Sequence, residues 1–503
     1  MLKRSICYIL ALFCLLGVMA GCKKEPADEN SSTITDNTNT SDSGTERIDV
    51  LPDLDYDGAE VKICTWSATE EWVLDVDDLS KLTSIDYASY RHLQNVSNRL
   101  NVDFKIVKKI SGSWGQHENF ISAIETTAGE GVYDLVCQYS LASIYGAQRG
   151  VYYDLNQLNY FNGWEAKYWN KNLISSNTIN DRIYYVTGDM TPTTVTRMGA
   201  VVFDRSLVSS YYEDGDAMLY KLVDDGNWTL ETITNLTRDI YVDLNNNSTK
   251  DVGDRFGFVI AANNMVDILQ YGADLSCIVV DDSETMIMNP QFTANGEKAI
   301  NLVERLREMC WDYEGIYLGY TPLALQGNPA EKGNSKYFYY DALKNGNALF
   351  QTVWAHQIVS DIRSSGVDYG ILPIPKFNAD QTDYHTALEM TYSMFSIPVD
   401  CKDKEMVAAV MEALGSDGYT YLVPEIFEKQ MKYQYSKTGD DSRMFDLLRQ
   451  GIIYEPGRIF SYIDCFSLVR RAVYYDKEWT SWYMQEAGTS YEERLANIMF
   501  EFQ

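Results

Sequence analysis

From Ala59 to the C-terminus the chain alternates two kinds of apolar pattern, and that alternation narrows its fold more than any other feature. Val61 to Trp66 reads as a strand, and Leu93, Val96 and Leu100 then keep helical spacing. Val102 to Val107 alternates as a strand, Phe120, Ile121 and Ile124 lie on a further helix, and Tyr133 to Tyr139 reads as another strand. The same style continues with strands at Ile183 to Val186, Met198 to Phe203, Phe256 to Ile260, Ala348 to Trp354, Asp368 to Pro375 and Met394 to Pro398. Helices are predicted from Thr229 as N-cap with Glu231 in the first turn, over the face Ala299, Val303, Leu306 and Cys310, and over Met406, Val410 and Ala413. Strands alternating with helices predict an α/β chain with a largely parallel sheet. The 445 residues from Ala59 to Gln503 suffice for two or three domains.

The N-terminus predicts export. Lys3 and Arg4 precede an apolar run from Ile6 to Val18, which small residues close. The run is shorter than a bilayer span needs, and Lys23 and Lys24 follow it. Ala20-Gly21-Cys22 resembles the lipobox of bacterial lipoproteins, with Met19 in the place of the usual Leu; the resemblance implies a signal peptide over 1–21 and a lipidated Cys22. Residues 22–58 are expected to form a tether, because Asp, Asn, Ser, Thr and Glu dominate it and bury too little surface to order it. The predicted location is extracytoplasmic, held to the outer face of the cell membrane by lipid.

Charge removes one class of partner. The chain carries a formal charge of −30, and an acidic body repels phosphate backbones, so nucleic acid is not expected. Six cysteines remain beyond Cys22, namely Cys64, Cys137, Cys277, Cys310, Cys401 and Cys465, and none shows CxxC spacing. A metal site or a dense disulfide framework is not expected of them, which leaves buried small apolar residues with room for one bridge.

In order, the segments resemble extracellular solute-binding proteins of family 1, which serve ABC sugar importers. Tyr133 to Val136 is similar to the family's second-sheet strand and Gly150 to Leu155 to its glycine–apolar–apolar–x–Asp–Leu segment. Arg182 to Val186, followed by Met198 to Asp204, looks like its crossing into the second lobe. Asn227 to Glu231 resembles its Thr-Trp-acid-acid helix start with Trp and Thr exchanged and the usual Pro missing; Ala348 to Trp354 and Ile371 to Pro375 resemble late strands of the family. The resemblance implies a periplasmic-binding-protein-like (type II) fold of two lobes, with a hinge and an interlobe cleft. Lobe one would take 59–190 and 393–430, and lobe two 195–365 and 431–503. It implies a small-molecule ligand, a mono- or oligosaccharide, ABC transporter permease subunits as partners, a monomer, and no catalysis.

In open α/β sheets ligands sit beyond the carboxyl ends of the strands. That rule selects Trp66, Gln138, Tyr139, Asp189 and Trp354, together with Glu389 and Tyr392, which immediately precede the Met394 strand. Aromatic rings would stack on sugar faces while carboxylates and amides bond hydroxyls. With 37 Tyr and 10 Trp against 18 Phe, the chain is rich in rings that carry a polar handle, although most such rings pack simply at surfaces.

No cofactor is required. One loop, however, sets oxygen-bearing side chains at calcium-loop spacing: Asp243, Asn245, Asn247, Asp251 and Asp254. Ser248 stands where the turn wants Gly, and Asp254 replaces the longer Glu, so an Asx-rich solvated turn competes with structural calcium. Two other functions compete. A lipid-anchored glycoside hydrolase would need a carboxylate pair flanking one bond, and 72 acids supply candidates without choosing among them. A surface protein could bind glycan without transport. The four histidines show no ligand spacing, and no GxSxG, Walker loop or GxGxxG occurs.

Overall fold

The computed structural model describes residues 48–502 except 67–70, 75, 111–116, 252, 262–263, 320–340 and 487–489. The expected signal peptide, Cys22 and most of the tether lie outside the described residues.

Ala59–Trp66 (β1) pairs in parallel with Val102–Ile110 (β2) and Leu135–Tyr139 (β3), and Ser393–Ser396 (β13) joins β3 antiparallel. The order of this sheet is β13-β3-β1-β2. The buried strands are continuous apolar runs because helices cover both of their faces. At the edge, β2 alternates instead, and Lys105, Lys108 and Lys109 guard it against further pairing. The helix Ser84–Leu100 buries Leu93, Val96 and Leu100 and starts in a capping box between Thr83 and Asp86.

The second sheet has six strands: Gly199–Asp204 (β4), Tyr241–Val242 (β5), Arg255–Ile260 (β6), Ile316–Leu318 (β9), Ala348–Trp354 (β10) and Tyr369–Leu372 (β11). All seven residues of β10 are buried between parallel β6 and antiparallel β4. The reversal of β4 makes this sheet mixed rather than largely parallel. Two small pairs complete the strands, Ile278–Val280 (β7) with Met286–Met288 (β8), and Thr386–Ala387 (β12) with Ile452–Ile453 (β14).

Crossing segments join the sheets. One runs from Val186, bridged to Phe395 of the first sheet, to Met198, whose carbonyl accepts from Ala355 N beyond β10. Another returns from β11 through Leu388, bridged to Met198, into β13. Arg47–Gln503 is knit into one unit.

Two expectations are corrected. Ile183 to Val186 makes no ladder, only the Val186 bridge, because this chain is already crossing between sheets. The packed body also begins before Ala59. Leu51 is buried, and Asp49 accepts both terminal nitrogens of Arg99 at 2.7 Å. A charge that finds a partner some fifty residues away leaves no local trace in sequence, so the tether is shorter than 22–58.

Candidate functional site

Trp66, the last residue of β1, lies in a stack of three rings. Phe120 is 4.8 Å away at 22°, and Tyr139, the last residue of β3, is 4.6 Å away at 13°. Tyr139 is half-buried and also touches Leu141, Met390 and Phe466. Neighbouring strand residues face opposite ways, so Gln138 points from this stack into the core. It is fully buried, accepts from the Tyr152 hydroxyl at 2.5 Å and donates to Ser396 Oγ at 3.1 Å. With its amide committed at both ends, Gln138 is a strut of the first sheet, and its selection as a ligand contact is corrected here.

In the second sheet Trp354 ends β10 opposite Gly199, the first residue of β4. The glycine is needed there, since a Cβ on it would lie 3.3 Å from Trp354 Cζ3 and 3.0 Å from Ile268 Cγ2. Trp66 Nε1 and Trp354 Nε1 are both buried without a hydrogen-bond partner among the described residues. Buried donors of this kind are uncommon, and a ligand hydroxyl or an ordered water would satisfy them.

A charged knot of Glu389, Arg197 and His356 stands near Tyr139, which feels the charges of Arg197 and Glu389, and its His356 follows Trp354 by two residues. Glu389 Oε2 accepts from Arg197 Nη1 at 3.1 Å and pairs with His356 Nε2 at 3.2 Å, while Glu389 N donates to the Arg197 carbonyl at 2.8 Å. Burial by itself would push the Glu389 carboxyl up, but hydrogen bonding to His356 and the Arg197 charge hold it below its ordinary value. Glu71, from the loop after β1, fastens that loop to the crossing. Its Oε1 accepts from Thr191 Oγ1 at 2.8 Å and from Ser393 Oγ, and Thr193 Oγ1 accepts from Ser393 N at 2.9 Å.

Asp189 and Tyr392 belong to a different neighbourhood. Asp189 faces Arg449 Nη2 at 3.5 Å in a cavity of about 280 Å³ that Lys167, Thr194, Ile452 and Tyr454 also line. Burial pushes its carboxyl up to about 6 against the pull of Arg449. Tyr392 is buried with its ring edge-on to Tyr454 at 5.7 Å. The structure thus gathers Trp66, Tyr139, Glu389 and Trp354 along one connected path and groups Asp189 with Tyr392 around Tyr454.

Arg197, His356, Glu71 and Tyr454 were not selected from sequence. For Arg197 a signal exists. It directly precedes a predicted strand, and a strand running antiparallel to its neighbours brings its amino end to the ligand-facing edge. His356 follows Trp354 by two residues on the same edge. Glu71 and Tyr454 sit in segments without periodicity.

The oxygen-rich loop closes on itself. Asp243 accepts from Asn247 N and Ser248 N, Asn247 Nδ2 reaches Asp251 Oδ2 at 2.7 Å, and Asn245 Nδ2 reaches Asp251 Oδ1 at 3.1 Å. Asp254 Oδ2 accepts from Tyr241 Oη and Asp251 N, but its Oδ1 is buried without a partner among the described residues. No group of three or more His, Cys, Asp or Glu side chains placed to hold a metal ion occurs among the described residues. Asn245 Oδ1 and Asn247 Oδ1 already accept from Asn247 N and Thr249 N, so among the described residues Asp254 Oδ1 is the carboxylate oxygen of the loop left with capacity to spare.

No protein-family model and no curated protein sequence matches the chain. Solved structures do. The cyclic α-maltosyl-1,6-maltose binding protein of Arthrobacter globiformis superposes with a TM-score of 0.53 at 9% identity, over 88% of this chain and 99% of that one. The galacto-N-biose/lacto-N-biose I-binding protein of a Bifidobacterium longum ABC transporter, in complex with lacto-N-biose, gives 0.51 at 12%, over 88% and 98%. An ABC substrate-binding protein of Listeria monocytogenes in complex with cycloalternan gives 0.50 at 11%, over 89% and 99%. The chain therefore shares the two-lobed α/β fold of these proteins, with a hinge and a cleft between the lobes.

Proposed function

We propose that this chain is an extracytoplasmic carbohydrate-binding protein that delivers its ligand to the permease subunits of an ABC transporter. The observation that carries the reading is the path from Trp66 and Tyr139 through Glu389, Arg197 and His356 to Trp354. It puts aromatic faces at the carboxyl ends of strands from both sheets, with a hydrogen-bonding carboxylate, guanidinium and imidazole beside them. Sugars present flat C–H faces and rings of hydroxyls, and that combination suits both. The three solved structures of the same fold are of proteins that bind cyclic α-maltosyl-1,6-maltose, lacto-N-biose and cycloalternan, which supports the same ligand class here. The lobes take 59–190 with 393–430, and 195–365 with 431–503, to the second of which β11 adds Tyr369–Leu372 as a strand of its sheet. Cys22 carries the lipid, and a calcium ion on the Asp243 to Asp254 loop stiffens the second lobe without touching the ligand. No described helix is long and apolar enough to cross a membrane.

Both tryptophans are only 2% exposed, so a ligand reaches them only if the structure opens around them. Ligand entry requires the lobes to part about the crossing segments. The test is to incubate the chain from residue 22, with C22S, against a panel of mono- and oligosaccharides and to follow melting and the recovered sugar together. A binder gains thermal stability by mass action and returns the sugar intact. Cleaved sugar would convert the reading to a hydrolase, and no shift with any saccharide would end it.

A further inference from the structure

Six cysteines are described, all free and all buried, and four of them stand apart from the pair that matters. Cys277 precedes β7 in the second lobe. Cys465 lies on the segment after the short helix Pro456–Ile459. Both side chains are completely buried, and they border one small space. Gly457 faces the same small space. A Cβ on it would sit 2.9 Å from Cys277 Cβ and 3.0 Å from Cys465 Sγ, so the glycine keeps room for the two sulfurs. The surroundings hold Cys277 in place. Glu455 Oε1 accepts from Cys277 N at 2.9 Å and from Ile278 N at 3.0 Å, and Gln270 Nε2 and the Tyr271 hydroxyl lie 3.6 and 3.8 Å from Cys277 Sγ.

We infer that Cys277 and Cys465 are a disulfide-forming pair that staples the C-terminal segment to the second lobe once the chain is exported. The inference rests on the export reading only for the compartment, since disulfides form and persist outside the reducing cytosol. Its chemistry balances with a small-molecule disulfide or the disulfide of an oxidoreductase as oxidant. One thiolate attacks that oxidant and a mixed disulfide forms. The second thiolate then displaces the oxidant's remaining sulfur, so the Cys277–Cys465 bond forms as the oxidant's bond breaks into two thiols. Burial raises both thiols well above or above their ordinary range, with Glu455 adding to the effect, so the thiolates needed for exchange are scarce in the folded state. The bond therefore forms while the chain is folding, and the finished protein is slow to lose or gain it.

The staple bears on the candidate site. The segment that carries Cys465 also carries Ser461, whose Oγ donates to the Leu141 carbonyl at 3.1 Å, and Phe466, which packs on Tyr139. Fixing this segment to the second lobe fixes what lies against the Tyr139 ring.

The test needs no saccharide. The chain from residue 22 with C22S is denatured, reduced, refolded in a mixture of reduced and oxidised glutathione, quenched with acid, alkylated under denaturing conditions and digested. The expected result is four alkylated cysteines, a mass lower by two hydrogens before alkylation, and one cross-linked peptide joining Cys277 to Cys465. Cys465→Ser should return five alkylated cysteines and remove that peptide. The oxidised protein should melt several degrees above the same protein refolded with reductant. Six alkylated thiols after refolding, or a cross-link between any other two cysteines, overturns the inference. Failure of the chain to bind any sugar leaves it standing.

Discussion

Glu389, Gln138 and Trp354 all stand near strand ends and do different work there. Trp354 presents an indole whose N–H has no partner among the described residues, so truncating it removes both a stacking face and a donor. Trp354→Ala should abolish the rise in melting temperature that a bound saccharide gives. It should also cost about 3–5 kcal/mol of stability through the cavity left behind, measured by urea unfolding. Trp354→Phe separates the two effects, since it keeps most of the packing while losing the donor. Gln138→Leu should behave in the opposite way. It leaves the buried Tyr152 hydroxyl without its acceptor, at about 1–3 kcal/mol, while saccharide affinity stays within twofold of the parent. Position in the sequence selects Trp66, Tyr139, Glu389 and Trp354 as candidates, because strand ends can be read from apolar runs. It could not tell Gln138 from Tyr139. One residue of phase decides which face a side chain takes, and only pairing fixes that phase.

At the scale of elements, the strands of both sheets were legible wherever apolar runs were continuous. β10 falls on Ala348–Trp354 as the pattern predicts, and Thr229 caps its helix through Thr232 N. What the pattern lacked was direction. The reversed β4 brings Arg197 to the ligand edge, and no local propensity encodes that reversal. The helix Lys404–Asp417 carries a second consequence that sequence hid. Glu412 is buried, where Tyr168 Oη and Trp169 Nε1 both donate to it, and burial pushes its carboxyl up to about 7. Its folded value thus exceeds the unfolded one of about 4.3, so the native state holds this proton more tightly than the unfolded chain does. The resulting stability is fully present below about pH 4.3 and is lost as pH rises towards 7. Glu412→Gln should flatten the slope of unfolding free energy over that window, as read by urea denaturation at a series of pH values. An unchanged slope would place the ionisation elsewhere. The loop from Asp243 to Asp254 gives a further expectation at this scale. Millimolar calcium should raise the melting temperature over that in chelator, and Asp254→Asn should reduce the difference.

For the molecule as a whole, the decisive feature is that two sheets are joined by crossing segments. Alternation of strand and helix was enough to predict α/β layers, and the resemblance in segment order supplied the pairing of discontinuous pieces. The course of the chain before Ala59 was not legible, because Asp49 is anchored by reaching Arg99, far along the sequence. The most direct test of the account is a crystal structure of the body grown with the saccharide that raises its melting point most. The account predicts the sugar between the Trp66–Tyr139 stack and Trp354, with Glu389 or Arg197 bonded to its hydroxyls. A sugar seated elsewhere, for instance in the groove of about 880 Å³ between Asn172 and Ile278, with both tryptophans untouched, would contradict it.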